Sequence, residues 1–295
     1  MGVLLSLKKL GRTEGTIRTV GKRLRYLSKH CSLDDPEQVK KHIAEKDCGS
    51  NFKRNLVDAY EHYVKAQGLT WSKPFYQREE RLTRVPTREN INKIISHARL
   101  KAAAFFSIIR DAGLRPIEVA RLKVKDVDLE NGVVHPTTAK GGSGRAMKLP
   151  ASTVALIKNY IAKRFLGLED RIFATEKNQE PWKISKRARD GWIHIRDAVA
   201  EKLQEPELKL IRLYDLRHFY ATMLYHKTKD ILLVKRMLGH KNIEHTMIYT
   251  HLVNFAEDEW ICKAAETVEE AQELIEAGFR FEVEMDGVKL FRKRK

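Results

Sequence analysis

Residues 214–252 read YDLRHFYATMLYHKTKDILLVKRMLGHKNIEHTMIYTHL. Tyr214 and Arg217 stand three apart in a run with helical apolar spacing, so both side chains leave one face of a helix. Leu238-Gly239-His240 follows as a helix stop, with glycine just past the last periodic residue. A second short apolar-periodic run then carries Tyr249. An Arg, a His and a Tyr thus come to the ends of short helices in a chain of formal net charge +17. That set suits a phosphate. Arg offers a planar fork to two oxygens, His can donate a further hydrogen bond, and a tyrosine hydroxyl beside them is a candidate nucleophile.

The charge is uneven along the chain. Residues 1–85 carry a net +8, residues 86–252 a net +13, and residues 253–295 a net −4. Such an excess points to a polyanion, nucleic acid being the usual one, with a solvated high-pI surface as the plain alternative. The length of 295 residues allows one large domain or two smaller ones. Cys31, Cys48 and Cys262 are scattered, without disulfide or zinc spacing, which fits a reducing interior. No apolar run approaches the ~18 residues of a membrane span. His240, His245 and His251 lie close in sequence, but no carboxylate or Cys completes a ligand set, so neither metal nor cofactor is expected.

Taken in order, residues 1–12 read as a short apolar-basic lead, frayed at the end of the chain. Helices are expected over Thr16–Lys29, Pro36–Lys46 and Phe52–Gln67, the last stopped by Gly68. Residues 73–86 form a charged linker bracketed by two prolines. A helix starts at Thr87, and another runs over Leu100–Ala112 to Gly113. Gly113-Leu114-Arg115-Pro116-Ile117-Glu118 is a turn whose Arg115 and Glu118, by themselves, read as an ordinary surface pair. Strands are expected across 122–149, with a hairpin turn at Glu130-Asn131-Gly132 and a glycine-rich loop, Lys140-Gly141-Gly142-Ser143-Gly144. Residues 151–163 and 186–203 are expected helices. After Leu252 the spacing predicts a helix over Phe255–Ala277, a hairpin through Asp286-Gly287, and a basic end, Arg292–Lys295.

The 214–252 stretch resembles the tyrosine recombinases, the phage-integrase-like family. Their pattern is His-x-x-Arg-His, then Leu-Gly-His, then a Tyr nine residues after that His. This chain has Tyr214-Asp215-Leu216-Arg217-His218, Leu238-Gly239-His240 and Tyr249. Tyr214 replaces the first His, and the Tyr-x-x-Arg variant resembles integrases of archaeal viruses and plasmids. The resemblance also covers the Arg115 turn with its acidic residue three later, and Lys140 on the hairpin, with Lys148 as the rival lysine. Met1-Gly2-Val3-Leu4-Leu5-Ser6 formally matches an N-myristoylation pattern, which the prokaryotic resemblance discounts.

The resemblance implies a fold that is mainly α with a small antiparallel sheet: a helical core-binding domain with linker (1–84), an α+β catalytic domain (85–252), and a helix-and-hairpin tail (253–295). It implies a site-specific recombinase or integrase of a mobile element that cleaves and rejoins DNA through a 3′-phosphotyrosyl link. Tyr249 would be the nucleophile. Arg115 and Arg217 would stabilise charge on the phosphate, and His240 and Tyr214 would donate hydrogen bonds to it. Lys140 would be the general acid, and Glu118 would orient Arg115. Implied partners are double-stranded DNA with inverted core sites and further copies of the chain in a synaptic tetramer, in the cytoplasm and at the nucleoid. Two rivals are a type IB topoisomerase, which relaxes DNA without exchange, and a non-catalytic architectural DNA-binding protein.

Overall fold

A computed structural model describes residues 2–79, 84–137, 144–250, 260–285 and 287–294. The chain divides into two compact units, Met1–Leu82 and Thr83–Lys295. Among its described residues the first holds four helices: α1 (Gly2–Lys9), α2 (Glu14–Leu27), α3 (Pro36–Glu45) and α4 (Ser50–Gln67). Their ends follow local chemistry. Asp35 accepts from the Glu37 and Gln38 N–H groups with Pro36 in the first turn, and Gly68 closes α4 in the left-handed region at φ 68°. Leu27, Val39, Ile43, Leu56 and Tyr60 are fully buried between them. The Tyr60 hydroxyl donates to the Leu33 carbonyl at 2.7 Å.

The expected frayed lead is instead helix α1. Val3 and Leu7, four apart, fall on one face and are buried in the core of this unit. A short apolar-basic segment has little helical stability by itself, so its order here comes from burial of that face.

The second unit is built around α6 (Leu100–Ala112), preceded by α5 (Arg88–Ser96) with Thr87 as its N-cap. In α6, residues 103–109 are all buried, as its nearly continuous apolar sequence requires of a central helix. It packs against α7 (Pro116–Arg121), α8 (Ala151–Arg164), α9 (Pro181–Leu203) and α10 (Asp215–Thr228). Trp192 of α9 is fully buried, edge-on to Phe106, and its indole N–H donates to the Ile211 carbonyl at 2.9 Å. α9 begins at Pro181, five residues before the expected start, with the proline in its first turn.

The strands expected over 122–149 are present but very short. β1 (Val127–Asp128), β2 (Val133–Val134) and β3 (Met147–Lys148) form an antiparallel sheet in the order β1-β2-β3. The Asp128 carboxylate accepts from the Glu130 and Asn131 N–H groups and shapes the turn. α11 (Ile231–Leu238) and α12 (Glu244–Met247) follow α10.

Beyond them the expected helix over Phe255–Ala277 is corrected. Among the described residues β4 (Trp260–Ala265) is a strand and α13 (Val268–Glu276) is the helix, while residues 255–259 lie outside the described residues. Thr267 and Glu270 form a capping box that sets its start. β5 (Arg280–Met285) and β6 (Val288–Arg294) make the expected hairpin, and β6 lies between β4 and β5. Pairing with the second edge of β6, Cys262 opposite Arg292 and Ala264 opposite Leu290, makes residues 260–265 extended. The basic end is therefore largely strand. Phe291 joins Ala265, Ala271, Leu274 and Phe279 in a small separate core. The fold is mainly helical, with two small antiparallel sheets among the described residues. Among the described residues no helix is long and apolar enough to cross a membrane.

Candidate active site

Arg217 is the centre of the site. The turn before it is held by Asp215, which is buried and accepts from the Arg212 backbone N–H at 2.9 Å and from its guanidinium. That turn leads into α10 and puts Arg217 in its first turn, fully buried. Its Nη1 donates to the Gly113 carbonyl at 2.6 Å, and its Nη2 to the Leu238 carbonyl at 2.7 Å. Three distant segments, the ends of α6 and α11 and the start of α10, thus meet on one guanidinium. Burial lowers its pKa to about 10, which leaves it cationic at neutral pH.

Gly113 shows why the backbone there is constrained. Its φ is +62°, and its N–H bonds the Ile109 carbonyl to end α6. A Cβ at this position would stand 2.3 Å from the Tyr220 ring. Only glycine allows this turn to bring its carbonyl to Arg217.

Arg115 and Glu118 are not a surface pair. Glu118 is fully buried. Its carboxylate accepts from the Arg115 N–H and Nη1, both at 2.9 Å, and from Arg145 Nη2 at 2.7 Å. Arg217 Nη1 stands 3.9 Å away. Burial pushes the Glu118 carboxyl up. The Arg115 N–H and the charges of Arg145, Arg115 and Arg217 outweigh it, so the net direction is below the ordinary carboxylate value. One buried anion therefore organises three arginines.

His240 follows the end of α11. The Gly239 N–H bonds the Arg236 carbonyl and the His240 N–H bonds the Lys235 carbonyl, a pattern that turns the chain sharply at Gly239, φ +63°. Arg217 Nη2 lies 3.1 Å from His240 Nε2, and His240 Nδ1 lies 3.0 Å from Thr246 Oγ1. A guanidinium can only donate, so Nε2 accepts and the ring proton sits on Nδ1, facing Thr246. Burial lowers the His240 pKa to about 3, helped by the charges of Arg217 and Arg115. In this structure the ring is neutral and its Nε2 accepts from Arg217 rather than donating.

Tyr249 follows α12. Only 1% of it is exposed, and it packs with Ala221, Val234 and Leu238. Burial raises its hydroxyl pKa, while the charges of Arg217 and Arg115 act in the opposite direction. Its Oη lies 3.0 Å from His218 Nδ1. Tyr214, 40% exposed, packs its ring edge-on against His218, with centroids 5.2 Å apart.

The site thus brings together Arg115, Glu118, Arg217, His240 and Tyr249, with Tyr214 beside His218. Lys140 lies outside the described residues. Its rival Lys148 donates from Nζ to the Asn131 carbonyl at the β1–β2 turn. Two members had no role in the sequence reading. Arg145 sits just after the glycine-rich loop, where its basic character was the only signal. His218 was visible in the motif, but nothing local says that its ring reaches a residue 31 positions away. Chemically, guanidiniums converging on one buried point suit an anion whose charge grows during reaction, beside a hydroxyl able to attack it.

Residues 84–254 match the phage integrase family, more than half of the chain. The chain belongs to that family. A probable integrase/recombinase protein of Methanocaldococcus jannaschii is 32% identical over 176 residues, covering 57% of this chain and 51% of that protein. The tyrosine recombinase XerA of Saccharolobus solfataricus is 25% identical over 201 residues, covering 68% and 63%. The match thus spans less than two thirds of the length of either of these curated relatives. Among solved structures of similar fold, the Tn1549 transposon integrase with transposon right end DNA superposes with a TM-score of 0.63 at 17% identity, over 94% of this chain and 99% of that one. The XerH recombinase bound to its difH substrate gives 0.56 at 23% identity, over 80% and 77%.

Proposed function

We propose that this member of the phage integrase family is a site-specific DNA recombinase, an integrase of an archaeal virus or plasmid, acting through a 3′-phosphotyrosyl intermediate. The observation that carries this is the convergence on buried Arg217 of the Gly113 turn, with Arg115 and Glu118, and of His240, beside the buried hydroxyl of Tyr249. Tyr249 Oη attacks phosphorus. Arg115 and Arg217 stabilise the charge gathered on the non-bridging oxygens. Lys140 gives a proton to the departing 5′ oxygen. Glu118 orients Arg115, and Tyr214 donates to the phosphate. His240 takes part once the phosphate competes for the Arg217 donors and frees its ring. Because the energy of the broken bond stays in the phosphotyrosine, rejoining needs no nucleotide cofactor.

Tyr249 is almost wholly buried, so engagement with DNA has to draw it toward the phosphate. The N-terminal helical unit serves as the core-binding domain, residues 85–252 as the catalytic domain, and 253–295 as a tail. Four copies assemble on two inverted core sites, in the cytoplasm and at the nucleoid.

The decisive experiment uses a pool of nicked duplexes with a randomised core. The parent is expected to leave a covalent protein–DNA band on a denaturing gel, and Tyr249→Phe none. No adduct from the parent on any duplex would end this proposal. Relaxed plasmid without recombinant product, on two copies of the recovered site, would move it to a topoisomerase.

A further inference from the structure

The described residues place one proton acceptor on the Tyr249 hydroxyl. His218 Nδ1 lies 3.0 Å from Tyr249 Oη; Tyr249 is buried and His218 half-buried. If Nδ1 carried the ring proton, the phenol hydrogen would have no hydrogen-bond acceptor among the described residues, at the cost of a buried unsatisfied donor. The hydroxyl therefore donates to Nδ1, and the neutral ring keeps its proton on Nε2. Other groups nearby do not accept from this hydroxyl. Arg115 and Arg217 are cations without a lone pair to offer. His240 turns its two ring nitrogens to Arg217 and Thr246, and makes no hydrogen bond to the Tyr249 hydroxyl among the described residues. Tyr214 is itself a phenol, packed against the His218 ring.

We propose that His218 is the general base for the attack by Tyr249, a role that rests on the reaction proposed above. As Oη forms its bond to phosphorus, the hydroxyl proton passes to Nδ1. The bond from phosphorus to the 5′ oxygen breaks, and that oxygen takes its proton from a separate acid. In rejoining, the 5′ hydroxyl attacks phosphorus and gives its proton back to that acid. The phosphorus–Oη bond breaks, and the His218 imidazolium returns the proton to Tyr249. Both groups end as they began.

The environment sets the timing. Burial lowers the His218 pKa to about 4. Asp215 raises it, and Arg212 and Arg217 lower it further. So weak a base does not strip a buried phenol before attack, and the resting pair stays neutral. Transfer accompanies bond formation, when the phenol oxygen shares its electrons with phosphorus and its proton becomes far more acidic. Because α10 carries Arg217 and His218 in succession, one helix turn positions both the charge stabiliser and the base.

The test is single-turnover cleavage of the nicked duplex recovered above, by the parent, His218→Gln and His218→Ala, with DNA affinity and thermal melting measured alongside. Gln keeps an acceptor and most of the volume but cannot hold the proton. The expected result is a loss of about 10²-fold or more in cleavage by His218→Gln, with unchanged DNA affinity and folding. Added imidazole should restore part of the rate in His218→Ala and none in His218→Gln, whose side chain fills the space. Cleavage by His218→Gln within about threefold of the parent rate, the scatter to be expected without lost base catalysis, would overturn the assignment. So would His218→Ala that folds and binds DNA yet does not respond to imidazole. In both cases the parent still forms its adduct, so failure of this role is distinct from failure of the recombinase proposal.

Discussion

Glu118 shows at the residue scale how a buried charge is tolerated. It is fully buried and holds Arg115 and Arg145 by direct hydrogen bonds, with Arg217 near. Removing one partner of such a group leaves the others uncompensated. Glu118→Gln keeps the shape and removes the charge, so it should destabilise the second unit by about 3–5 kcal/mol in chemical denaturation. Because the folded pKa lies below the ordinary value, the contribution of this carboxylate is complete above the unfolded carboxylate range. It is lost as acid takes the pH down through the folded value. The parent should therefore lose more stability than Glu118→Gln on going from pH 6 to pH 3. Equal losses would mean that the arginines do not depend on this carboxylate.

The active arrangement depends at the element scale on how helices end. α6 ends at Gly113 and α11 at Gly239, both in the left-handed region, and the carbonyls just before or at these turns accept from Arg217. Gly113→Ala would combine an unfavourable φ with a Cβ in the Tyr220 ring. A loss of at least ~1 kcal/mol of stability is expected. Cleavage should fall more than DNA affinity, since the displaced carbonyl is a support of Arg217. Thermal melting and single-turnover cleavage check this. A variant with parental melting and rate would show that α6 can end another way.

Charge is distributed at the scale of the whole molecule so that residues 1–252 are basic and residues 253–295 acidic. Lys and Arg that meet phosphates release condensed counterions, so duplex affinity should fall steeply with salt, by about 10³-fold or more between 50 and 200 mM if six or more phosphates are contacted. Fluorescence anisotropy on a ~30-base-pair duplex, long enough for that many phosphate contacts, measures it. A change below about threefold would show that the charge of the chain is not used on the DNA backbone.

Much of this protein is determined by its sequence locally. Caps and glycines at Thr87, Asp35, Gly68, Gly113 and Gly239 set helix ends within a turn, because the chemistry that ends a helix lies beside it. The order of Arg115, Arg217, His240 and Tyr249 was legible as motif spacing. What only the tertiary structure decided involves partners far apart in the chain. Residues 260–265 became a strand because β6 offered an edge, and the first helix is ordered by a core it helps to build. Arg115 and Glu118, a surface pair by local spacing, are drawn inward by Arg145 and Arg217. His218 met Tyr249 because the chain from α10 to α12 turns back on itself, bringing side chains 31 residues apart to 3.0 Å. A short window of sequence registers propensity and period, whereas burial and long-range pairing depend on which surfaces meet.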